Sequence, residues 1–400
     1  MILPDADWRR RPGLEHLLAA LDADEGRTRF VGGCVRDTLL GLEVSDVDLA
    51  TQLEPGEVIR RLKRAQIKAV PTGLAHGTVT AVIAGQPVEV TTLRRDVSTD
   101  GRHATIAFTS DWQEDAARRD FTINALSADP RTGDVHDYFV GLADLETRTV
   151  RFIGDPLQRI AEDHLRILRF FRFHARFGDG PPDEAGLGAC AARANDLMAL
   201  SRERIADELL KLLALPQPAP TITVMYEAGI FRPIIPEIDE RGLRLLPRLC
   251  EREREAGVAP NPLRRFAALL PADPKVAEAV ATRLRLSKKA VKRIACAAAR
   301  TNSGGPPKAL AYFLGREEAV DRLLLGEGNP KDAAKLASWE RPRLGLGGGD
   351  LIALGLPPGP LVARTLGTVE RQWVEEGFPG EQRRREIARA AVDQSLRSSQ

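Results

Sequence analysis

The sequence predicts an α+β head followed by an all-helical remainder. Three observations carry this reading. Strand-like and helix-like segments alternate up to about residue 150. Asp155-Pro156 then opens a long run with helical periodicity. Beyond it, the proline and glycine clusters mark helix ends. A chain of 400 residues is long enough for several packed units.

In order, residues 28–31 read as a strand and 35–40 as a helix, then 44–50 as a strand and 55–65 as a helix. Residues 78–83 and 88–92 read as paired strands around the turn Gly85-Gln86-Pro87. Residues 93–111 are polar and charged and contain Gly101, which predicts a mobile loop. Residues 123–128 and 135–137 resume the sheet around a turn at 129–133. Asp155 suits a helix N-cap and Pro156 the first helical position. Nothing after them breaks a helix until the glycine and proline cluster at 178–182. Later breaks fall at 216–220, 260–262, 302–307 and 345–349, with no internal repeat and no low-complexity tract.

The chemistry concentrates near the start. Phe30-Val31-Gly32-Gly33-Cys34-Val35-Arg36-Asp37 is followed at once by Ser45-Asp46-Val47-Asp48-Leu49. Positions two apart in a strand share a face, so Asp46 and Asp48 would point the same way. Two carboxylates on one face repel unless a cation lies between them, and Mg²⁺ binds through one or two carboxylates plus substrate phosphates. Gly32 and Gly33 offer backbone N–H groups and close approach to a triphosphate, and Arg36 offers charge-assisted hydrogen bonds. Alone, an Asp-x-Asp can be two solvated carboxylates, a Gly-Gly a turn, and Arg36 the partner of Asp37. In this order and this close, they point to a nucleotide-handling metal site.

These residues resemble a known family. GGCVRDTLLG followed by SDVDLAT is similar to the nucleotidyltransferase signature of the class II CCA-adding enzymes and bacterial poly(A) polymerases, in the DNA polymerase beta superfamily. RRDFTINAL at 118–126, GLADL at 141–145 with VRFIGDP at 150–156, and EDHLRILRFFRF at 162–173 resemble the motifs that follow. The ordered motifs span positions 30 to 173, and the likeness is weaker beyond. The resemblance implies a polymerase beta-like head with a mixed sheet at 1–150 and a nucleotide-selecting helical neck at 151–215. A tRNA-binding helical body at 216–330 and a helical tail at 331–400 would follow.

The implied reaction is attack of a 3′-hydroxyl on the α-phosphate of CTP or ATP. Two metals can activate the hydroxyl and stabilise the leaving pyrophosphate. Asp46 and Asp48 are the expected Mg²⁺ ligands. Glu89 is either a third carboxylate or an ordinary exposed strand residue. The resemblance puts Arg119 on the nucleotide. Asp120 and Asn124 would contact ribose or brace the site, with a structural ion pair as the other reading of Asp120. Asp163 and Arg166, three apart, would be neighbours on one helical face. They make either an i, i+3 salt bridge or a base reader. A carboxylate accepts from the amino group of cytosine or adenine, and a guanidinium donates to the adjacent ring nitrogen. Guanine and uracil present the reverse pattern. Arg169 and Arg172 continue the spacing. The resemblance assigns both to the nucleotide, although they could form the basic flank of the neck.

Enzymes that add only CC resemble this family with a shortened loop. Here Arg95, Asp96 and Arg102 are all present in that loop, which favours full CCA addition. The expected activity is a CTP- and ATP-dependent tRNA nucleotidyltransferase acting at the acceptor stem and elbow of tRNA. The alternatives are a poly(A) polymerase, a CC-only or A-only enzyme, and, from another class, a catalytically dead RNA-binding or nucleotide-sensing module, against which intact Asp46 and Asp48 speak. A formal net charge of +2 gives no gross argument for nucleic acid, so binding would rest on local basic faces. Residues 283–293 and 383–385 are candidates for phosphate contact, or plain solvated faces. The four cysteines are widely spaced, which argues against a zinc or disulfide framework and for a reducing, cytoplasmic setting. No signal peptide, membrane span or obligatory protein partner is evident.

Overall fold

A computed structural model describes residues 1–99, 104–300, 306–336 and 338–398. Two compact units emerge, Met1–Pro236 and Glu237–Gln400. In the first, β1 (Thr28–Val31), β2 (Asp48–Thr51), β3 (Lys68–Gly73), β4 (Thr78–Ile83) and β5 (Gln86–Thr92) are followed by a hairpin of β6 (Arg94–Thr99) and β7 (Ala104–Phe108), then by β8 (Ser127–Ala128) and β9 (Val135–His136). The mixed sheet has seven strands in the order β3-β4-β5-β2-β1-β8-β9. β2 and β5 run parallel, with Asp48 beside Glu89, and the other neighbours are antiparallel. That parallel register fixes two acidic side chains at one place on the sheet.

Several expectations are corrected. β2 begins at Asp48, so Asp46 lies in the irregular segment ahead of the strand and is exposed. The β4–β5 turn is Ala84-Gly85, both at positive φ, which puts Gln86 and Pro87 inside the strand. Pro87 is tolerated where β5 has not yet gained β2 as a neighbour. β3 went unrecognised because Pro71 sits within it, a placement suited to the sheet edge it occupies. The expected loop at 93–111 is largely the β6–β7 hairpin, with Arg94 opposite Phe108 and Arg95 opposite Ala107. Its tip, with Arg102, lies outside the described residues.

The helices of this unit are α1 (Leu14–Ala20), α2 (Gly33–Leu39), α3 (Pro55–Arg64), α4 (Trp112–Ala117), α5 (Gly141–Glu146), α6 (Pro156–Glu162), α7 (Arg166–Phe177), α8 (Glu184–Ala192), α9 (Arg202–Leu213) and α10 (Ala219–Glu227). Asp155 caps α6 as expected, accepting from the Leu157 N–H at 2.9 Å. The helix does not continue to Phe177, however. Asp163 adopts an extended backbone, φ −151° and ψ 106°, and its side chain accepts from the Leu165 N–H at 3.1 Å. A short acidic side chain that satisfies a nearby backbone donor competes with the helical pattern, and the chain restarts as α7.

Aromatic packing joins α7 to the segment after α4. Phe121 lies 5.0 Å from Phe152 and 5.2 Å from Phe173, and Phe152 stacks on Phe170 at 5.4 Å. Phe121, Phe170 and Phe171 are wholly buried. These contacts set Asp120 and Asn124 against the polar face of α7. Gly141 is part of the same support. A Cβ there would meet the Thr122 carbonyl oxygen at 2.4 Å.

The second unit is helical: α11 (Glu240–Glu255), α12 (Pro262–Leu269), α13 (Pro274–Arg283), α14 (Lys288–Ala298), α15 (Pro307–Leu314), α16 (Arg316–Leu325), α17 (Lys331–Ala334), α18 (Gly348–Ala353), α19 (Pro360–Glu375) and α20 (Glu381–Arg397). A buried ionic network crosses four of them. Arg264 bonds Glu253 and Asp321, Arg265 bonds Glu253, and Arg293 bonds Asp321. Arg293 is therefore a core residue rather than a phosphate-contacting cation, while Lys288, Lys289 and Lys292 of the same segment are exposed. Asp350 in the glycine-rich stretch accepts the Gly347 N–H at 2.7 Å and caps α18.

Gly141→Ala is expected to destabilise the first unit by about 2–3 kcal/mol, because backbone cannot yield to the new methyl without moving the Thr122 turn. Chemical denaturation checks this, and a change below about 0.5 kcal/mol would contradict the close packing described.

Candidate active site

A cavity of about 470 Å³ opens in the first unit between the end of the sheet and α7. Gly32 and Gly33 form one rim, at the corner between β1 and α2. Gly32 has φ +66° and ψ −120°, and a Cβ there would also sit 3.1 Å from the Arg119 Nη1, so only glycine fits without strain. Asp48 enters from the start of β2. Arg119, Asp120 and Asn124 come from the segment after α4, Asp163 from the link between α6 and α7, and Arg166, Arg169 and Arg172 from α7. With Arg36 of α2, these make eleven residues that were expected from sequence and line one cavity. Phe173 and Arg176 line it as well. Asp46, Glu89, Arg95 and Asp96 do not, and Arg102 lies outside the described residues.

The acidic end is electrostatically tight. The Asp48 carboxyl is pushed up to about 6, first by burial and then by the negative charge of Glu89, with Asp46 adding to it and Arg119 opposing. Asp48 thus feels the negative charge of both Glu89 and Asp46, although those two side chains are exposed. Among the described residues, no three His, Cys, Asp or Glu side chains converge closely enough to hold a metal ion by themselves. Asp46 and Asp48, with oxygen ligands from a phosphate, form the kind of donor set that a hard divalent cation takes.

The basic wall is held from behind. Arg36 is buried and pairs with Asp37 at 2.6 Å, and it also donates to the Asn124 amide oxygen. Burial lowers the Arg36 pKa, which the Asp37 charge partly restores. Arg119 pairs with buried Asp115 at 3.1 Å, and Asp115 also takes Arg118 at 2.8 Å. Arg169 grips Asp120 through Nε at 2.7 Å and Nη2 at 2.5 Å. Burial pushes the Asp120 carboxyl up, but Arg169 and the Asn124 amide outweigh it and hold Asp120 below the usual carboxylate range. The buried ion pair proposed for Asp120 is thus present, and it lies in the cavity wall. Arg172 pairs with buried Glu208 at 2.5 Å, and Arg176 with Asp37 at 3.2 Å. Arg36, Arg169 and Arg172 also surround the Phe173 ring, 5.4, 5.2 and 4.7 Å from its centre.

The Asp163–Arg166 salt bridge does not form. Arg166 Nη1 donates to Glu162 at 2.6 Å and to the Arg159 carbonyl at 2.8 Å, and Nη2 to the Arg118 carbonyl at 3.1 Å. Asp163 instead takes Arg204 of α9, 3.2 and 3.1 Å from its two oxygens. A guanidinium has five N–H donors, so Arg166 keeps unused ones. Of the supporting carboxylates, Asp37 was foreseen as a partner of Arg36, a pair the structure shows to be buried, whereas Asp115, Glu162 and Glu208 were not singled out from sequence. Arg176 did carry a sequence signal, since it extends the arginine spacing of α7 by one further turn.

Replacing Asp48 by Asn separates charge repulsion from chemistry. A carboxyl whose folded pKa lies near 6, above its ordinary value, destabilises the fold when ionised; that cost is absent below about pH 4 and complete above about pH 6. Asp48→Asn should therefore stabilise the ligand-free protein by about 1–2 kcal/mol at pH 7.5 and by much less at pH 4.5, while abolishing nucleotide addition. Thermal denaturation at the two pH values checks the first part. Equal shifts at both would contradict the carboxylate coupling.

Comparison with known proteins gives an independent result. The family model described as "Poly A polymerase head domain" matches residues 28–151, and that described as "Probable RNA and SrmB- binding site of polymerase A" matches residues 183–241. The mitochondrial CCA tRNA nucleotidyltransferase 1 of Mus musculus is 35% identical over 92% of this chain and 87% of its own length. A CCA-adding enzyme of Levilactobacillus brevis is 33% identical over 88% of this chain and 90% of its own. The structure of a Bacillus stearothermophilus CCA-adding enzyme in complex with CTP superposes with a TM-score of 0.76 at 27% identity, covering 97% of this chain and 99% of that one. Likeness at this level over nearly the whole length, with the motif residues gathered in one cavity, establishes that the chain belongs to the family of CCA-adding enzymes, the tRNA nucleotidyltransferases.

Proposed function

We propose that this chain builds or repairs the 3′-terminal CCA of tRNA from CTP and ATP, releasing pyrophosphate. The observation that carries the reading is a single cavity in which the Asp48 carboxylate faces a wall of six guanidiniums. The triphosphate would lie along Gly33, Arg36 and Arg176, where backbone and guanidinium donors meet phosphate oxygens. Arg119 and Asn124 would hold the α-phosphate and ribose over Asp48. Mg²⁺, held by Asp46 and Asp48 together with phosphate oxygens, would supply the charge stabilisation for transfer to the 3′-hydroxyl. Glu89, beside Asp48 in the parallel register, would add negative charge there.

Asp163 and Arg166 would read the base edge. Each is anchored by other groups, which leaves them side by side and uncommitted to one another. This supports the reader over the salt bridge. Rejection of guanine and uracil follows from unpaired buried polar groups, at roughly 1–3 kcal/mol each. The β6–β7 hairpin carrying Arg95 and Asp96 is backed by Asp115, which accepts the Arg94 N–H at 3.2 Å as well as Arg119. Hairpin motion would thereby reach Arg119, in keeping with a part in the change from C to A. For the division of labour we retain a catalytic head at 1–150, neck to 215, body to 330 and tail to 400. The reading includes a cytoplasmic setting, in keeping with four unpaired cysteines. No helix among the described residues is long and apolar enough to cross a membrane.

A tRNA transcript lacking CCA, incubated with CTP, ATP or both, tests the activity by product length. Two added nucleotides with CTP alone and three with the mixture are expected. A long adenylate ladder would mean a poly(A) polymerase, and a stop at two with both nucleotides a partial enzyme. For the reader, Asp163→Ala should raise UMP or GMP misincorporation relative to CMP by about 10- to 100-fold. An unaltered C-to-U ratio would defeat that assignment.

A further inference from the structure

Asp163 lies in an extended link between two helices, and such a link does not by itself fix the direction of its carboxylate. Two contacts do. The Leu165 N–H donates to Oδ1 at 3.1 Å, and Arg204 Nη2 lies 3.2 Å from Oδ1 and 3.1 Å from Oδ2. We propose that Arg204 is a positioning residue for base selection, acting through Asp163. The proposal rests on the base-reading role given to Asp163 above.

Arg204 is well placed to hold a direction without being needed to hold the fold. α9 is capped by Ser201, whose hydroxyl accepts the Arg204 N–H at 3.4 Å. It is buried through Ile205, Ala206, Leu209, Leu212 and Leu213 and packs on α7. The Arg204–Asp163 pair is about one-third exposed, 33% and 30% for the two side chains, so it adds little to stability. Meanwhile Arg166 is fixed by its own contacts at the start of α7. The distance between the base-reading acceptor and donor is therefore set by the packing of α9 on α7. A mutual salt bridge would have closed both groups to a ligand. A carboxylate also has about four acceptor sites, and the three contacts named leave capacity for the amino group of cytosine or adenine.

The test compares Arg204→Ala, Arg204→Lys and Asp163→Ala in competition assays, with CTP against UTP at the C steps and ATP against GTP at the A step. Arg204→Ala should lower both discrimination ratios by about 3- to 10-fold and raise KM for CTP and ATP, with a small change in kcat and in Tm. Arg204→Lys, which keeps a cation but a single donor centre, should recover most of the ratio. If Asp163→Ala shifts the ratios and Arg204→Ala leaves them unchanged, the positioning role is overturned and the reader stands. If neither shifts them, the reader itself falls. A uniform loss of rate with all four nucleotides, tracking a lower Tm and equal in Arg204→Ala and Arg204→Lys, would make Arg204 merely structural and overturn the proposal.

Discussion

Six guanidinium groups around one small cavity would repel one another, and the fold exists because each is backed by a carboxylate. Asp37 holds Arg36 and Arg176, Asp115 holds Arg119, Glu162 holds Arg166, Asp120 holds Arg169, and Glu208 holds Arg172. Most of these acids are buried. Buried pairs of this kind contribute little net stability, and removing one partner is costly. Their effect is on geometry: the donors point into the cavity before any nucleotide arrives, so less ordering remains to be done on binding.

The rest of the first unit serves this arrangement. The β2–β5 parallel pair brings Asp48 and Glu89 together, and the positive φ that Gly32 adopts lets the β1–α2 corner close over Arg119. The Phe121, Phe152, Phe170 and Phe173 cluster ties the Asp120–Asn124 segment to α7. The break at Asp163 between α6 and α7 turns two residues that sequence spacing would pair into two separately anchored groups. The second unit uses the same device in its own core, where Glu253 and Asp321 neutralise three buried arginines.

Much of this was legible in sequence because motif residues carry strong local constraints. Gly32 needs a conformation open to glycine, and Asp155-Pro156 marks a helix start with two independent signals. The seven-stranded sheet was foreshadowed by alternation in β4 and β5. What stayed hidden lacked a local signature. β6 is charged and polar along most of its length, and β3 contains a proline. The helix break depends on a side chain competing for a backbone N–H, which periodicity does not reveal. Supporting acids such as Glu208 are distant in sequence from the arginines they hold. Arg293 looked like part of a surface charge run, although its partner Asp321 makes it a core residue.

The central claim is that protein side chains read the Watson–Crick edge of the incoming base. The most direct measurement uses the unmodified protein with altered nucleotides, one CTP analogue lacking the 4-amino group and one with ring N3 replaced by C–H. Each deletes one of the two contacts without disturbing the triphosphate or the sugar. The account predicts that kcat/KM falls by about 10- to 100-fold for each analogue, as expected when a buried donor or acceptor loses its partner. Incorporation of either analogue at the rate of CTP would contradict it.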